Sequence, residues 1–144
     1  ALMTTLNTVG SELGTISEVH AMTDVTGFGL LGHLIEVCEG SDLQAILDVD
    51  SIPVIPESRT YLKEGCYPDG SFRNWKAYAH KVTGCDAMER MMLFSDPQTS
   101  GGLLISVDER AILNVERAIG THGSLFARIG ILKKPESGAR VIVR

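Results

Sequence analysis

A glycine-rich segment that runs directly into a helix constrains the fold more than any other feature of this sequence. Residues 20–27 are mostly polar and end in glycine, and residues 28–39 repeat apolar side chains at helical spacing. The apolar positions are Leu30, Leu31, Leu34, Val37 and Cys38. Gly40 is expected to end the helix. The fold must therefore accommodate a tightly turning backbone at a helix N-terminus.

The rest of the chain alternates between strand-like and helix-like patterns. Further helices are predicted at 57–64, at 87–94 with Asp86 as the cap, and at 109–119 with Asp108 as the cap and Gly120 and Gly123 at the end. Strands are predicted at 43–50, 103–107, 126–133 and 139–143. Residues 65–74 are predicted to be a long loop, and residues 75–82 fit either a strand or a short helix.

The last two strands flank a turn at residues 135–138, which predicts a terminal hairpin. A hairpin beside alternating elements indicates an α+β fold with a mixed β-sheet flanked by helices. With 144 residues, of which 44% are hydrophobic, residues 1–144 are predicted to form a single domain. Residues 1–19 are expected to be a leading helix and loop segment.

Charge and cysteine usage limit the classes of partner. The formal net charge is −5, from 13 basic and 18 acidic residues, which argues against nucleic-acid binding. No apolar run approaches the length of a membrane span. Cys38, Cys66 and Cys85 are widely spaced without metal-ligand spacing, which is typical of free thiols in a reducing compartment. We expect a cytoplasmic protein without a signal peptide.

Gly27, Gly29 and Gly32 match the pattern G-x-G-x-x-G, and Asp48 and Asp50 follow about 20 residues later, as in dinucleotide-binding folds. That fold requires an apolar strand before the glycines, whereas residues 20–26 are polar. The second half of a Rossmann unit is also missing. The dinucleotide hypothesis is therefore weak.

Asp24 just before the glycines suggests another chemistry. Glycines at a helix N-terminus allow backbone N–H groups to approach an anion. A carboxylate beside them would repel a bare phosphate, but it would suit a Mg²⁺ ion that bridges it to phosphate oxygens. The structural alternative is that Asp24 or Thr26 merely caps the helix and the glycines permit tight packing. The local chemistry by itself favours this alternative.

Residues 96–102 read DPQTSGG and form a second polar, glycine-containing loop, directly before the strand at 103–107. A structured turn is the simpler interpretation of this loop. His33 lies on the apolar helix face and is expected to be a hydrogen-bonded core residue. Asn74 is expected to serve turn chemistry in the 65–74 loop.

Together, the segment TDVTGFGLLGH at residues 23–33 and DPQTSGG at 96–102 closely resemble the selenide, water dikinase (selenophosphate synthetase) family. Between them, Gly65-Cys66, Gly70 and Arg73-Asn74 follow the family's order, and the resemblance extends from about residue 20 to the end. The first motif is shared in looser form with aminoimidazole ribonucleotide synthetase. The pair of motifs at this separation is more specific.

The resemblance implies the carboxy-terminal domain of a longer two-domain, homodimeric enzyme that converts selenide, ATP and water to selenophosphate, AMP and phosphate. It implies the fold of the aminoimidazole ribonucleotide synthetase group. The amino-terminal domain would supply the nucleophile, a lysine and most metal-binding aspartates, so the three cysteines here should not inherit the nucleophile's role. This chain alone would be inactive.

Site residues follow from the same resemblance. Asp24 is expected to bind Mg²⁺. ATP is expected to contact two groups of residues, one in each motif: Thr26, Gly27 and Gly29, and Gln98, Thr99 and Ser100.

Overall fold

The computed structural model describes residues 2–136 and 138–144. The α-helices in this part of the chain are α1 Val9–Leu13, α2 Gly29–Ser41, α3 Pro56–Lys63, α4 Asp69–Tyr78, α5 Met88–Phe94 and α6 Ile112–Thr121. Short 3-10 helices span Leu2–Thr4, Val49–Ser51, Ala79–Lys81 and Glu109–Ala111. None of the described helices is both long and apolar enough to cross a membrane.

The strands form two sheets. They are β1 Val19–Asp24, β2 Gln44–Leu47, β3 Val82–Thr83, β4 Leu103–Val107, β5 Gly130–Lys133 and β6 Val141–Val143. The larger sheet has the order β3-β6-β2-β5, in which β2 pairs parallel with β6 and antiparallel with β5. Strands β1 and β4 form a separate antiparallel pair. The predicted mixed sheet flanked by helices is confirmed.

The predicted terminal hairpin is wrong, because β5 and β6 lie on opposite sides of β2. Strand β2 offers two hydrogen-bonding edges, and each terminal strand occupies one of them. Gly130 allows β5 to approach, since a Cβ at this position would collide with the carbonyl of Ile46. Of the predicted turn at 135–138, Ser137 lies outside the described residues.

Apolar side chains form two clusters. The larger one joins α2 to the mixed sheet, with Leu31 on α2, Leu47 on β2 and Val141 on β6 almost fully buried. The smaller one joins α1 and α6 to the β1–β4 pair, through residues such as Leu13 and Val115. Because successive side chains of a strand point to opposite faces, one strand can contact both clusters.

Strand β4 lies between the clusters. Leu103, Ile105 and Val107 pack against the smaller cluster, whereas Leu104 packs against the larger one. The start of β4, which follows the second glycine motif, is thus fixed from both sides.

Several local predictions are wrong. Residues 20–24 belong to strand β1, and residues 69–74 belong to helix α4, which was predicted as loop. Helix α2 continues past Gly40 to Ser41, and its C-cap residue Asp42 adopts a left-handed conformation with φ 50°. Ala87 rather than Asp86 occupies the N-cap of α5. Asp108 does cap, through its bond to the Arg110 amide, but it caps the 3-10 turn that leads into α6.

These differences have a common physical cause. The burial pattern of β1 is irregular because a bulge shifts its register near Ala21, so no simple alternation is visible in its sequence. Helix α4 buries Ser71 and Tyr78, packs Gly70 against the Pro97 ring and uses Asn74 in polar contacts, so it lacks a continuous apolar stripe. Tertiary contacts stabilise both elements.

The central position of β2 predicts a strong and local effect on stability. Leu47→Ala should lower the free energy of unfolding by about 2–5 kcal/mol, because it leaves a cavity beside β6 and α2. The matched substitution Leu125→Ala, at a side chain that is 81% exposed, should change it by less than about 0.5 kcal/mol. Urea unfolding of both variants measures the difference, and equal losses would contradict this description of the core.

Candidate functional site

The two glycine motifs, about 70 residues apart in sequence, form one continuous structure. Strand pairing places Asp24 opposite Leu103. Beyond the strands, the Val25 N–H donates to the Gly102 carbonyl at 2.9 Å, and the Gly101 N–H donates to the Val25 carbonyl at 3.0 Å. The Gln98 N–H then donates to the Thr26 carbonyl at 3.0 Å. Backbone hydrogen bonds therefore hold the predicted site residues of both loops side by side.

Close backbone approach explains two of the glycines. Gly29 has φ +69°, and a Cβ on it would lie 2.7 Å from the Ser95 carbonyl carbon. A Cβ on Gly101 would lie 2.7 Å from the Val25 carbonyl oxygen. Gly27 differs, because a Cβ there would meet nothing within 4 Å. Gly29 and Gly101 are required by packing, whereas Gly27 leaves open space at the surface.

Helix α4 ties the loops together from behind. The side-chain amide nitrogen of Asn74 donates to the carbonyls of Gly27 at 2.8 Å and Ser95 at 3.0 Å. One turn further along α4, the Tyr78 hydroxyl donates to the Phe28 carbonyl at 3.0 Å. The turn role predicted for Asn74 is wrong, since its amide bridges two segments distant in sequence. The only sequence signal for this bridging role was that Arg73-Asn74 matches the order of residues in the family.

The Asp96 carboxylate stabilises the 96–102 loop through hydrogen bonds. Its Oδ1 accepts from the Ser71 hydroxyl at 3.0 Å, and its Oδ2 accepts from the Gln98 side-chain amide at 3.0 Å. Pro97 packs directly against Gly70, where a Cβ would lie 2.5 Å from the proline ring. The side-chain nitrogen of Gln98 also donates to the Asp96 carbonyl at 3.2 Å. Thr99, in contrast, is exposed and makes no such bond among residues 2–136 and 138–144.

His33 is a buried, hydrogen-bonded core residue, as predicted. The Thr26 N–H donates to its Nε2 at 3.1 Å, so this nitrogen must be unprotonated and Nδ1 carries the proton in the neutral ring. Nδ1 lies 3.6 Å from a Glu36 carboxylate oxygen, beyond hydrogen-bonding distance. The Phe28 ring lies against His33 at a centroid distance of 5.7 Å. His33 therefore anchors the loop to its own helix.

Asp24 is exposed at the end of β1. Within residues 2–136 and 138–144 its carboxylate makes no hydrogen bond or ion pair, so its oxygens are free to bind a cation. The same residues contain no group of three or more His, Cys, Asp or Glu side chains able to hold a metal. Mg²⁺ demands octahedral oxygen coordination. Asp24 therefore fits one position of a magnesium site, and the others require phosphate, water or another polypeptide segment.

The cysteines occupy different environments. Cys38 and Cys85 are buried, and Cys66 is exposed. Burial raises the pKa of the Cys38 thiol, and it raises the pKa of the Cys85 thiol to about 11. A thiol that remains protonated at neutral pH is a poor nucleophile. The two buried thiols therefore stay protonated at neutral pH, and the expectation that none of the three cysteines is the nucleophile stays a prediction.

The fold also argues against dinucleotide binding. A strand does precede the glycines, but β1 pairs antiparallel with β4 in a two-stranded sheet. The dinucleotide fold places the corresponding strand within a parallel sheet. The prediction that no strand precedes the glycines is wrong, but the antiparallel β1–β4 pair still differs from the parallel sheet of a dinucleotide-binding fold.

The fold and the paired glycine loops define a known class of domain. A sequence profile of the family described as AIR synthase related protein, C-terminal domain, matches residues 1–142. The chain belongs to this family.

Its relatives identify a branch of that family. The chain is 42% identical over 141 residues to a selenide, water dikinase of Shewanella sp. (strain MR-7) and 42% identical over 143 residues to that of Haemophilus influenzae (strain 86-028NP). It is 44% identical over 140 residues to that of Yersinia pseudotuberculosis serotype I (strain IP32953). These matches cover 98%, 99% and 97% of this chain, but 40%, 41% and 40% of the three relatives. The predicted resemblance is confirmed.

The contrast between two neighbouring glycines predicts a stability difference. Gly29→Ala should lower the free energy of unfolding by about 1–3 kcal/mol, because it combines a left-handed backbone with a collision against Ser95. Gly27→Ala is the matched control and should change it by less than about 0.5 kcal/mol. Chemical denaturation of both variants tests this, and a neutral Gly29→Ala would contradict the packing described here.

Thiol reactivity should follow burial. At pH 8 Ellman's reagent should modify one thiol per folded chain, and Cys66→Ser should abolish that reaction. Cys85 should stay protected because its pKa of about 11 leaves it protonated at pH 8. In denaturant all three thiols should react. Rapid reaction of two or more thiols in the folded protein would contradict the burial of Cys38 and Cys85.

Proposed function

We propose that this chain is the carboxy-terminal domain of an ATP-dependent selenide, water dikinase, which converts ATP, selenide and water to selenophosphate, AMP and phosphate. The names of relatives that match nearly the whole chain support this reaction. The observation that carries the proposal is the juxtaposition of both glycine loops beside Asp24, whose carboxylate has no partner among residues 2–136 and 138–144.

Asp24 would bind Mg²⁺ through its exposed carboxylate. When bound, Mg²⁺ would neutralise charge on the phosphates of ATP. The position of Asp24 is well defined, because the last pair of the β1–β4 ladder sets its backbone and the adjacent Val25 is hydrogen-bonded on both sides. A carboxylate held on a rigid strand end supports a metal with little reorganisation.

The nucleotide would lie along the two loops. Thr26, Gly27 and Gly29 would line the first side of the cleft, where the start of α2 adds partial positive charge. The N–H groups of Thr26 and Gly29 already donate to His33 Nε2 and to the Thr26 carbonyl, so they would shape this turn rather than contact the phosphates. Thr99 and Ser100 would line the second side of the cleft. Gln98 would act mainly by shaping its loop, since its amide groups bond Asp96 and Thr26.

The remaining components would come from a longer polypeptide. The chain spans about two fifths of the length of its relatives. An amino-terminal domain would supply the nucleophile, a lysine and further metal-binding aspartates, and the whole enzyme would form a cytoplasmic homodimer. The net charge of −5 gives this domain little capacity to neutralise a triphosphate by itself, so the chain alone should be inactive.

A non-catalytic ligand-binding module of the same fold is the alternative. The absence of a complete metal-binding cluster among the described residues favours it. Phosphoryl-transfer activity in a complete enzyme distinguishes the two.

A chimera tests the proposal. The region of the Yersinia pseudotuberculosis relative that matches this chain is replaced by the 144 residues, and selenide-dependent AMP formation from MgATP is measured. The chimera should be active. Asp24→Asn should reduce the rate by about 10- to 100-fold or more, because a metal ligand is weakened.

Asp50→Asn is the matched control, since Asp50 is an exposed aspartate outside both loops, and its rate should stay unchanged. Equal rates for the Asp24→Asn and unmodified chimeras would eliminate the metal role of Asp24. A folded but inactive chimera would contradict the dikinase assignment and favour the binding module.

A further inference from the structure

Two side chains of α4 hold successive carbonyls at the start of α2. Asn74 donates to the Gly27 carbonyl and Tyr78 donates to the Phe28 carbonyl. Residues four apart lie on the same face of a helix, so α4 presents both donors together. Asn74 is half-buried and Tyr78 is buried, so the bond to Phe28 is partly shielded from water, whereas the bond to Gly27 is exposed.

The C=O and N–H of one trans peptide group point in opposite directions. A hydrogen bond that fixes the direction of the carbonyl therefore also fixes the direction of the N–H. The bond from Asn74 to the Gly27 carbonyl therefore turns the Phe28 N–H away from α4. Among residues 2–136 and 138–144 this N–H has no acceptor. The bond from Tyr78 likewise orients the Gly29 N–H, which donates to the Thr26 carbonyl at 3.0 Å.

The backbone conformations agree with this arrangement. Phe28 has φ −87° and ψ −1°, and Gly29 has φ +69°. A right-handed residue followed by a left-handed one turns successive N–H groups to one side, and such concavities bind anions. Gly27 and Phe28 are exposed, whereas Gly29 is buried against the backbone of Ser95 and Asp96. The α4 donors therefore support the exposed part of this turn.

We propose that Asn74 and Tyr78 are positioning residues: they hold the 27–29 peptides so that the Phe28 N–H faces the phosphates of ATP. The inference rests on the proposed function for its ligand, and it gives a role to Asn74 and Tyr78, to which the sequence assigned no part in the site. Asn74 has a second effect, because its bond to Ser95 fixes the spacing between the two loops.

The first test uses the 144-residue chain and measures peptide orientation directly. Tyr78→Phe removes one hydroxyl, and Asn74→Leu removes the amide at nearly constant volume. Both should shift the Phe28 amide resonance and raise hydrogen exchange of the Gly29 amide by roughly 3- to 10-fold, as expected for loss of one supporting hydrogen bond. The matched controls are Tyr61→Phe and Asn114→Leu, at exposed positions outside the loops, and they should leave both amides unchanged.

The second test uses the chimera described above. Tyr78→Phe and Asn74→Leu should raise KM for MgATP by roughly 3- to 10-fold and change kcat by less than about twofold. A purely structural role would instead lower thermal stability and the amount of active enzyme without this split between KM and kcat. Unchanged KM in an active chimera would overturn the proposal.

The two tests separate this inference from the proposed function. An inactive unmodified chimera would count against the dikinase assignment alone, and the amide measurements would then decide the positioning role. Unchanged Phe28 and Gly29 amides in both variants would overturn it, whatever the activity of the chimera.

Discussion

The antiparallel pairing of β1 with β4 fixes the positions of both glycine loops. One loop begins where β1 ends, and the other ends where β4 begins, so the last pair of the ladder, Asp24 and Leu103, brings them together. The backbone bonds between Val25 and the glycines at 101 and 102 extend the pairing into the loops. Because apolar clusters hold β4 from both sides, the site inherits the rigidity of the core.

The close approach of the two loop backbones requires glycine. It also leaves inward-facing carbonyl groups that need hydrogen-bond donors. Gly29 and Gly101 let one loop backbone contact the other. The carbonyls that turn inward at Gly27, Phe28 and Ser95 would be costly if they remained unpaired. Helix α4 supplies their donors from Asn74 and Tyr78. Among residues 2–136 and 138–144, the Phe28 N–H on the opposite side of the Gly27 peptide has no acceptor.

Two aspartates in neighbouring motifs have different roles for an electrostatic reason. Both carboxylate oxygens of Asp96 accept hydrogen bonds, one from Ser71 and one from Gln98, and these donors compensate its charge. Asp24 makes no such bonds among the described residues and stands exposed. An uncompensated carboxylate beside free N–H donors suits a ligand that brings both cation and phosphate.

The fold class and much of the candidate site could be read from the sequence, because they depend on local patterns. Helical spacing predicted α2, a buried apolar run predicted β4, and the motif pair predicted the family. The predicted contacts of Gln98, Thr99 and Ser100 with ATP remain predictions. The bridging contacts of Asn74 could not be predicted, because a single amide within a turn-like segment carries no periodic signal.

The sequence by itself determined helix α2, strand β4, the glycines that permit tight turns, and the resemblance to a family, since these lie within short stretches of chain. Only the tertiary structure decided the partners. It placed β5 and β6 on opposite edges of β2, converted residues 69–74 into a helix, and joined Asn74 to two distant loops. Such choices depend on contacts between residues far apart in sequence, which no local propensity encodes.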